Sequence, residues 1–386
     1  MEFCELIGAQ PYVNGNVGSG TVQEMSEWVE YMTLKEGTPI AELRRKNGKE
    51  EPWKLKYLGV GNESWGCGGN MMAGDYAREF RKFSSYCKDH SGNRLYKIAC
   101  GPNSADYRWM EDIMKNLTDG LGEWLVGGVD LHYYTMPIWP EMDSATDFDD
   151  ALYYKTIEAA NFADELLTRH IGIMDHYDPE NKIGLILGEW GCWHQVEAGT
   201  NPGFLYQQNC MRDAIVAAVE LNIFNRHSKR LVMANLAQMV NVLQSLLLTE
   251  GEKMIKTPTY HVFDLFKNHQ GGEAVYCFTE NENSREGQNT PILSSSASVK
   301  SDTLTVTLSN TSLSEECTLD LSLYGFLAGN VSGRILTNDV RAYNSFENLQ
   351  KVHIEEYHPK TVTEDMISVK LPPCSVIELQ IDSAKR

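Results

Sequence analysis

Two glutamates stand out by what surrounds them. Glu63 lies in Leu58-Gly-Val-Gly-Asn-Glu-Ser-Trp-Gly-Cys-Gly-Gly69, where a short apolar run (Tyr57, Leu58, Val60) breaks after Asn62 into a glycine-rich turn. Glu189 lies in Gly188-Glu-Trp-Gly-Cys-Trp193, again directly after an apolar run. Both runs read as buried strands. Both carboxylates therefore stand at carboxyl ends of strands, where barrel enzymes place their catalytic groups. Hydrolysis of a glycosidic bond needs such a pair, one carboxylic acid protonating the leaving oxygen and one carboxylate across the sugar. Trp65, Tyr133, Tyr134, Trp139, Trp190 and Trp193 flank the pair and could stack on sugar rings. The bland alternative is that strand-end glutamates cap helices or pair with arginines; the neighbouring Asn62 and the tryptophans weigh against it.

Other chemistries are poorly supplied. His132, Glu189, Cys192 and His194 could converge on a metal, but the Cys-x-His spacing of 192–194 matches no common zinc site and there is no HExxH, so no metal is expected. His132 is better read as a hydrogen-bond donor in the mouth or as a buried, satisfied histidine. Gly59-Val-Gly61 and Gly66-Cys-Gly-Gly69 lack the Gly-Lys-Ser/Thr of a phosphate loop and the GxGxxG spacing. There is no GxSxG, and no cysteine has a convincing histidine partner. No cofactor is implied.

The elements that would carry the glutamates repeat a beat of apolar strand, Gly- or Asn-bearing loop and helix. Strands are predicted over about 10–17, 55–61, 96–100, 128–134, 183–188 and 231–236. Helices are predicted over about 21–33, 73–88, 106–118, 149–176, 204–225 and 259–268. Thr21 with Glu24 makes a capping box, and Tyr76, Phe80, Phe83 and Tyr86 give the 73–88 helix its apolar face. Asp147, Asp149 and Asp150 suit the positive end of the long helix's dipole. Residues 35–53 read as a polar excursion. Phe3, Leu6 and Ile7 look like the last turns of a helix. Six such beats argue parallel strands covered by helices, in a barrel or an open sheet, and two further units at the front would make the usual eight.

Past ~270 the texture changes to a Gly/Asn/Ser-rich stretch (271–303) followed by period-two segments at 303–308, 318–323, 367–371 and 375–381, which argue an antiparallel sandwich. The expected division is 1–270, an α/β barrel, and 271–386, an all-β domain without visible chemistry.

The chain has 386 residues, 42% hydrophobic and 23% charged, and a formal charge of −19. That is a folded composition with a field that repels phosphate backbones and anionic surfaces, so neither nucleic acid nor membrane is an expected partner. Nine scattered cysteines read as reduced, packed thiols of a cytosolic protein. No run approaches the ~18 apolar residues of a membrane span, and MEFCELIGAQPYV is not a signal peptide. The sequons at Asn116, Asn310 and Asn330 then carry little meaning.

At Gly61-Asn-Glu-Ser-Trp-Gly-Cys-Gly-Gly-Asn70 the chain resembles the acid/base motif of the α-L-arabinofuranosidases of glycoside hydrolase family 51. Gly188-Glu-Trp-Gly-Cys-Trp193 resembles the nucleophile segment, and Asn201-Pro-Gly-Phe-Leu-Tyr-Gln-Gln208 and Met233–Leu243 resemble later stretches. The resemblance implies a (β/α)8-type barrel, with Glu63 as general acid/base and Glu189 as nucleophile. It implies that Asn62 holds the sugar 2-hydroxyl and that His132, Tyr134, Trp193 and Gln238 line the −1 subsite. It also implies retention of configuration, carboxyls ~5–5.5 Å apart, and a raised pKa for Glu63 that resets when Glu189 is esterified.

Family members usually carry ~100 residues before the stretch matching Glu5–Tyr12, including two barrel units. Their absence implies an incomplete barrel of about six units, exposed strand edges, and a homo-oligomer or a truncated product. The reading is a retaining glycosidase that removes terminal α-L-arabinofuranosyl units from arabinoxylan- or arabinan-type polysaccharides. The alternatives are an endo-β-1,4-glucanase or xylosidase activity on the same scaffold, and a non-catalytic carbohydrate-binding remnant.

Overall fold

The computed structural model describes residues 1–120, 125–280 and 291–384, so residues 281–290 of the anticipated Gly/Asn/Ser-rich stretch lie outside the described residues. The strand–helix beat is observed: α1 (Glu2–Ile7), β1 (Tyr12–Gly15), α2 (Val22–Thr33), α3 (Pro39–Lys46), β2 (Tyr57–Val60), α4 (Ala73–Tyr86), β3 (Tyr96–Ala99), α5 (Tyr107–Thr118), β4 (Gly128–Thr135), α6 (Asp150–Tyr177), β5 (Gly184–Cys192), α7 (Met211–Arg226), β6 (Leu231–Leu236), the hairpin β7 (Leu247–Glu250) and β8 (Lys253–Lys256), and α8 (Pro258–Phe266). The chain forms two compact units, the first of residues 1–132, 166–188 and 230–233, the second of residues 133–165, 189–229 and 234–386.

β1 to β6 follow one another in a six-stranded sheet of order β1-β2-β3-β4-β5-β6. β1 pairs with β2, β2 with β3 and β3 with β4, all in parallel. The rings of Tyr12, Tyr57 and Tyr96 stack edge-on across three strands, with centroids 6.5 and 5.7 Å apart. Thr21 closes the anticipated capping box, its Oγ1 accepting from Glu24 N (3.2 Å) and its N donating to Glu24 Oε2 (2.7 Å). Tyr76, Phe80 and Phe83 of α4 are buried as expected; Tyr86 is exposed, because the helix ends there and the ring lies past the last buried turn.

The polar excursion over 35–53 contains a helix, α3. Thr38 caps it and Pro39 opens it, the pattern that starts helices, but its mean hydropathy is too low to show as an apolar stripe. Its Arg44 is fully buried and donates to the carbonyls of Tyr31 (3.1 Å), Lys35 (2.8 Å) and Glu50 (3.2 Å), gathering the end of α2 and the stretch after α3 around one guanidinium.

In the second unit α7 starts at Met211, not near 204, because Pro202–Phe204 forms a single 3-10 turn and Leu205 takes a left-handed conformation. Nine strands follow among the described residues: β9 (Glu273–Val275), β10 (Leu293–Lys300), β11 (Thr303–Asn310), β12 (Cys317–Ser322), β13 (Ala328–Thr337), β14 (Glu355–Tyr357), β15 (Thr361–Val362), β16 (Met366–Leu371) and β17 (Ser375–Ser383). They form two antiparallel sheets, β14-β13-β17-β11-β10-β9 and β12-β16-β15. Leu304, Val306, Leu308, Ile377 and Leu379 of one and Ile367, Val369 and Leu371 of the other share an apolar core. No helix among the described residues is long and apolar enough to cross a membrane.

The outer face of β10 and β11 is unusual in being polar and buried. Asn222 of α7 accepts from Ser296 Oγ (2.8 Å) and Thr307 Oγ1 (2.7 Å), and Asn225 Nδ2 donates to the same Ser296 hydroxyl (2.9 Å). Small hydroxyl side chains let the helix seat close to the sheet, and the amide satisfies them. Asn222→Ala strips two buried hydroxyls of an acceptor, which costs about 1–3 kcal/mol of stability. A urea midpoint unchanged by this substitution would show that the seat does not depend on Asn222.

Candidate active site

The turn that carries Glu63 is built by glycine. Gly61 (φ 94°) leaves β2 and donates to Gly15 O at 2.9 Å. Glu63 itself sits at φ 44°, a left-handed conformation that costs a side-chain-bearing residue on the order of 1–2 kcal/mol. The loop offsets this with backbone bonds. Gly66 N and Gly68 N both donate to Glu63 O (2.8 and 3.0 Å), and Met71 N donates to Ser64 O (2.7 Å). Gly68 packs so closely over Asn62 that a Cβ there would lie 1.7 Å from the Asn62 carbonyl oxygen. Below the turn, the buried Tyr76 hydroxyl donates to Val60 O and accepts from Cys100 N at 2.6 Å, fixing the ends of β2 and β3 to each other.

The Glu63 carboxylate meets His132. His132 Nδ1 lies 2.9 Å from Glu63 Oε1, and its Nε2 lies 3.1 Å from Asp130 Oδ2. Cys67 Sγ donates to Glu63 Oε2 at 3.3 Å. The His132 hydrogen bond, with a smaller opposing push from burial and help from Cys67, holds the Glu63 carboxyl below its ordinary range. This corrects the expectation of a raised pKa: sequence supplied the acid but not the donor ring beside it. Asp130, which no motif singled out, owes its space to two glycines. A Cβ on Gly188 would lie 2.1 Å from Asp130 Oδ1, and one on Gly101 would lie 1.6 Å from Asp130 O. The Asn62 side chain, half-buried, has no hydrogen-bond partner among the described residues.

This line of three groups can hold a proton in two places. With both carboxylates ionised, the ring between them donates from both nitrogens as an imidazolium. With Glu63 protonated, the acid donates to Nδ1 and the neutral ring donates from Nε2 to Asp130.

In the second unit, Tyr134 Oη donates to Glu189 Oε2 at 2.6 Å. Trp193 packs edge-on against Tyr134, with centroids 5.0 Å apart, and its N donates to Thr135 O (3.3 Å). So Glu189, Tyr134 and Trp193 come together. Gln238 follows Ala237, whose N donates to Trp190 O (3.0 Å), and lies on the wall of a groove with its side-chain amide unpartnered among the described residues. Two of the aromatic candidates do not face a sugar. Trp190 is fully buried between Phe224 and Phe263, and Tyr133 is buried with its hydroxyl donating to Ala159 O (2.6 Å). Trp139 is 67% exposed, and Trp65 is half-buried in the glycine-rich turn.

The segment after Glu189 is anchored by charge. His194 places Nδ1 2.9 Å from Asp143 Oδ1 and Nε2 3.1 Å from Asp213 Oδ1, and Arg212 Nη1 donates to Asp143 Oδ2 at 2.8 Å. All four side chains are at most 2% exposed. Burial pushes the Asp213 carboxyl up, but the His194 hydrogen bond and the Arg212 charge outweigh it and hold it down to about 2. Cys192, His194 and Asp213 lie within reach of one cation. Yet burial keeps the Cys192 thiol protonated, and Arg212 Nη2 sits 2.8 Å from His194 Nε2, so the cluster is furnished as a salt-bridge knot.

Comparison with known proteins agrees with these motifs. The family description "Alpha-L-arabinofuranosidase 1 domain" matches residues 1–152 and "Alpha-L-arabinofuranosidase C-terminal domain" matches residues 188–375. The chain is 43% identical to an intracellular exo-α-L-arabinofuranosidase of Bacteroides ovatus, over 99% of this chain and 74% of that enzyme. Its fold is similar to the crystal structure of the GH51 arabinofuranosidase from Xanthomonas axonopodis pv. citri, with a TM-score of 0.94, 39% identity, and 99% and 77% of the two chains covered. It is also similar to the Thermotoga maritima α-L-arabinofuranosidase in its arabinose complex, with a TM-score of 0.82, 27% identity, and 99% and 77% covered. This chain thus spans about three quarters of the length of each of these relatives, and the expectation of ~100 further residues at the front rests on the resemblance alone.

A last titratable group lies behind Tyr134. Glu220 of α7 is fully buried, accepts from Thr135 Oγ1, and leaves its other oxygen unpartnered. Burial, only partly offset by Thr135, raises its pKa to about 8. A carboxyl raised in the fold stabilises it fully below its unfolded pKa, near 4.3. That contribution is then lost as pH rises toward 8. Glu220→Gln keeps the Thr135 bond and removes the titration. The variant's melting temperature should therefore gain on wild type steadily from pH 5 to pH 8.5; parallel curves would count against a buried, protonated Glu220.

Proposed function

The chain belongs to the α-L-arabinofuranosidases of glycoside hydrolase family 51, and from that membership we propose how its residues divide the reaction. It is a glycoside hydrolase releasing arabinofuranosyl residues. In this reading the substrate is a terminal α-L-arabinofuranosyl unit on an arabinoxylan- or arabinan-type chain, and the mechanism is a double displacement.

In the first step Glu63, protonated, gives its proton to the glycosidic oxygen while a Glu189 oxygen attacks the anomeric carbon. The bond to the leaving group breaks and an arabinosyl ester of Glu189 forms. In the second step Glu63, now a carboxylate, takes a proton from water, whose oxygen attacks the same carbon and releases Glu189, so that two inversions give retention. The observation that carries this division is the difference in hydrogen bonding. Glu63 lies against His132, a ring able to take and return a proton, whereas a Glu189 oxygen is held in place by the Tyr134 hydroxyl. Asn62 is assigned to the sugar 2-hydroxyl, and Trp193 and Gln238 to the sugar's surroundings. The six-stranded sheet is read as part of a (β/α)8-type barrel of which about six units are present. Residues 1–270 are read as the catalytic part and 271–386 as the sandwich. A cytoplasmic location, supported by the intracellular Bacteroides relative, and self-association complete the proposal. Size-exclusion chromatography giving only the monomer mass would remove the last point.

Glu63→Ala should lower kcat by about 10²–10⁴-fold, the usual worth of a general acid/base. Glu189→Ala should abolish turnover and, with azide, yield the inverted arabinosyl azide. Inverted azide from the Glu63 variant would reverse the two roles, and wild-type protein without turnover would leave a carbohydrate-binding remnant.

Because the His132 hydrogen bond is what lowers the Glu63 pKa, His132→Phe should let that pKa rise. Glu63 then stays protonated to higher pH, so the alkaline limb of the kcat/KM profile should move up. A limb that stays in place would place the controlling proton elsewhere.

A further inference from the structure

A groove of about 920 Å³ lies wholly within the second unit, and its lining includes Phe204, Tyr206, Gln238, Asn241, Thr249 and Phe346. Its size falls within the roughly 300–1,000 Å³ of small-ligand clefts. We propose that this groove is the subsite for the leaving part of the substrate: it takes the neutral oligosaccharide chain to which the arabinofuranosyl unit is attached. The proposal rests on the arabinofuranosidase reading and deepens it.

Three observations carry it. The first is that an aromatic ring is held outward on a rigid loop. Phe204 is 67% exposed, yet the turn beneath it is tied at every corner. Gly203 N donates to Asn201 Oδ1 (3.0 Å), Leu243 N to Leu205 O (2.9 Å) and Glu197 N to Tyr206 O (2.8 Å), and Leu205 sits at φ 51°. A free loop would fold its phenyl ring inward; this one presents it, which lowers the ordering cost of stacking on a ligand. The opposite side is equally fixed, since both polar atoms of the Asn241 side chain bond to Thr249 (Nδ2 to Oγ1 2.9 Å; Oδ1 from N 2.8 Å).

The second is continuity. The wall contains Gln238, whose side-chain amide has no partner among the described residues, and the preceding Ala237 N donates to Trp190 O at 3.0 Å, one residue past Glu189. An amide of this kind beside aromatic faces is what a sugar, apolar on its faces and hydroxylated at its rim, requires.

The third is charge. Glu250 lines the groove, and with burial the nearby carboxylates Glu197 and Glu250 push the Tyr206 phenol up. An anionic occupant is therefore disfavoured, which selects neutral chains over those bearing uronic acids. It also disfavours a second copy of a chain whose formal charge is −19.

The test compares Phe204→Ala and, separately, Phe346→Ala on two substrates: 4-nitrophenyl α-L-arabinofuranoside, which reaches no further than its single ring, and an arabinofuranosyl-substituted xylo-oligosaccharide. Stacking of this kind is worth roughly a 2–12-fold change. The expected result is a KM for the oligosaccharide raised about 3–10-fold, with the nitrophenyl substrate affected clearly less. Equal losses on both substrates, or no loss on either, would overturn the proposal. So would a Phe204→Ala protein that changes its size-exclusion mass but not its kinetics, which would give the groove to a second copy. Wild-type protein that releases arabinose from neither substrate would instead overturn the activity reading on which the groove's role depends.

Discussion

A histidine ring buried between two carboxylates sets terms that much of the first unit has to meet. His132 spans Glu63 and Asp130 at 2.9 and 3.1 Å, and a polar ring this buried is tolerated only when each of its hydrogen-bonding positions is filled. Asp130 can stand beneath the ring only because Gly101 and Gly188 have no side chains there. Glu63 can reach the ring only because its own backbone is left-handed, and that conformation persists because Gly66 and Gly68 donate to its carbonyl. The glycines of the motif are thus explained by the position of one carboxylate. A Cβ at Gly68 or Gly188 would move the partner of the ring, not merely crowd a loop.

The second unit solves a related problem with a larger charge count. Glu189 is followed five residues later by His194, which Asp143, Asp213 and Arg212 surround with almost no solvent. Desolvating such a group costs several kcal/mol per ion and is recovered only by good geometry, so the knot adds less to stability than its bond count suggests. What it does supply is position. Asp143 belongs to the loop after β4, Asp213 to the first turn of α7, and His194 to the chain leaving β5; satisfying them together fixes where Trp193 and the edge of Tyr134 come to rest.

The fold was legible wherever periodicity speaks. Strand–helix alternation and the period-two tail follow from apolar spacing, and the Thr21–Glu24 box follows from two residues three apart. Legibility failed where polar residues are structural. Helix α3 was missed because Arg44, its most buried side chain, works by hydrogen bonds to carbonyls and leaves no apolar stripe. The start of α7 was misplaced because Pro202-Gly-Phe204 carries a helix-opening proline but closes after a single 3-10 turn. In the site, motif and resemblance single out Glu63, Glu189, Asn62, His132, Tyr134 and Trp193, and among these His132 lies against Glu63 and Tyr134 against Glu189. The direction of the Glu63 pKa was not legible, since it depends on a ring 69 positions away in sequence.

One signal for Asp130 was nonetheless present in β4 itself. Successive strand residues face opposite sides, so Gly-Val-Asp-Leu-His-Tyr-Tyr-Thr divides into Asp130, His132 and Tyr134 on one face and Leu131, Tyr133 and Thr135 on the other. The second set turns to the helices: Tyr133 bonds to Ala159 on α6 and Thr135 to Glu220 on α7. The first set is polar at every position, in a strand whose neighbours are covered and apolar. Strands of a covered parallel sheet are normally near-continuous hydrophobic runs, so three polar side chains at alternate positions must be paired with something. Two of the three turn out to serve a glutamate each, and the third, Asp130, holds the ring that serves Glu63. The same alternation removes Tyr133 and Trp190 from the list of sugar-facing rings, although by residue type they are indistinguishable from Tyr134 and Trp193.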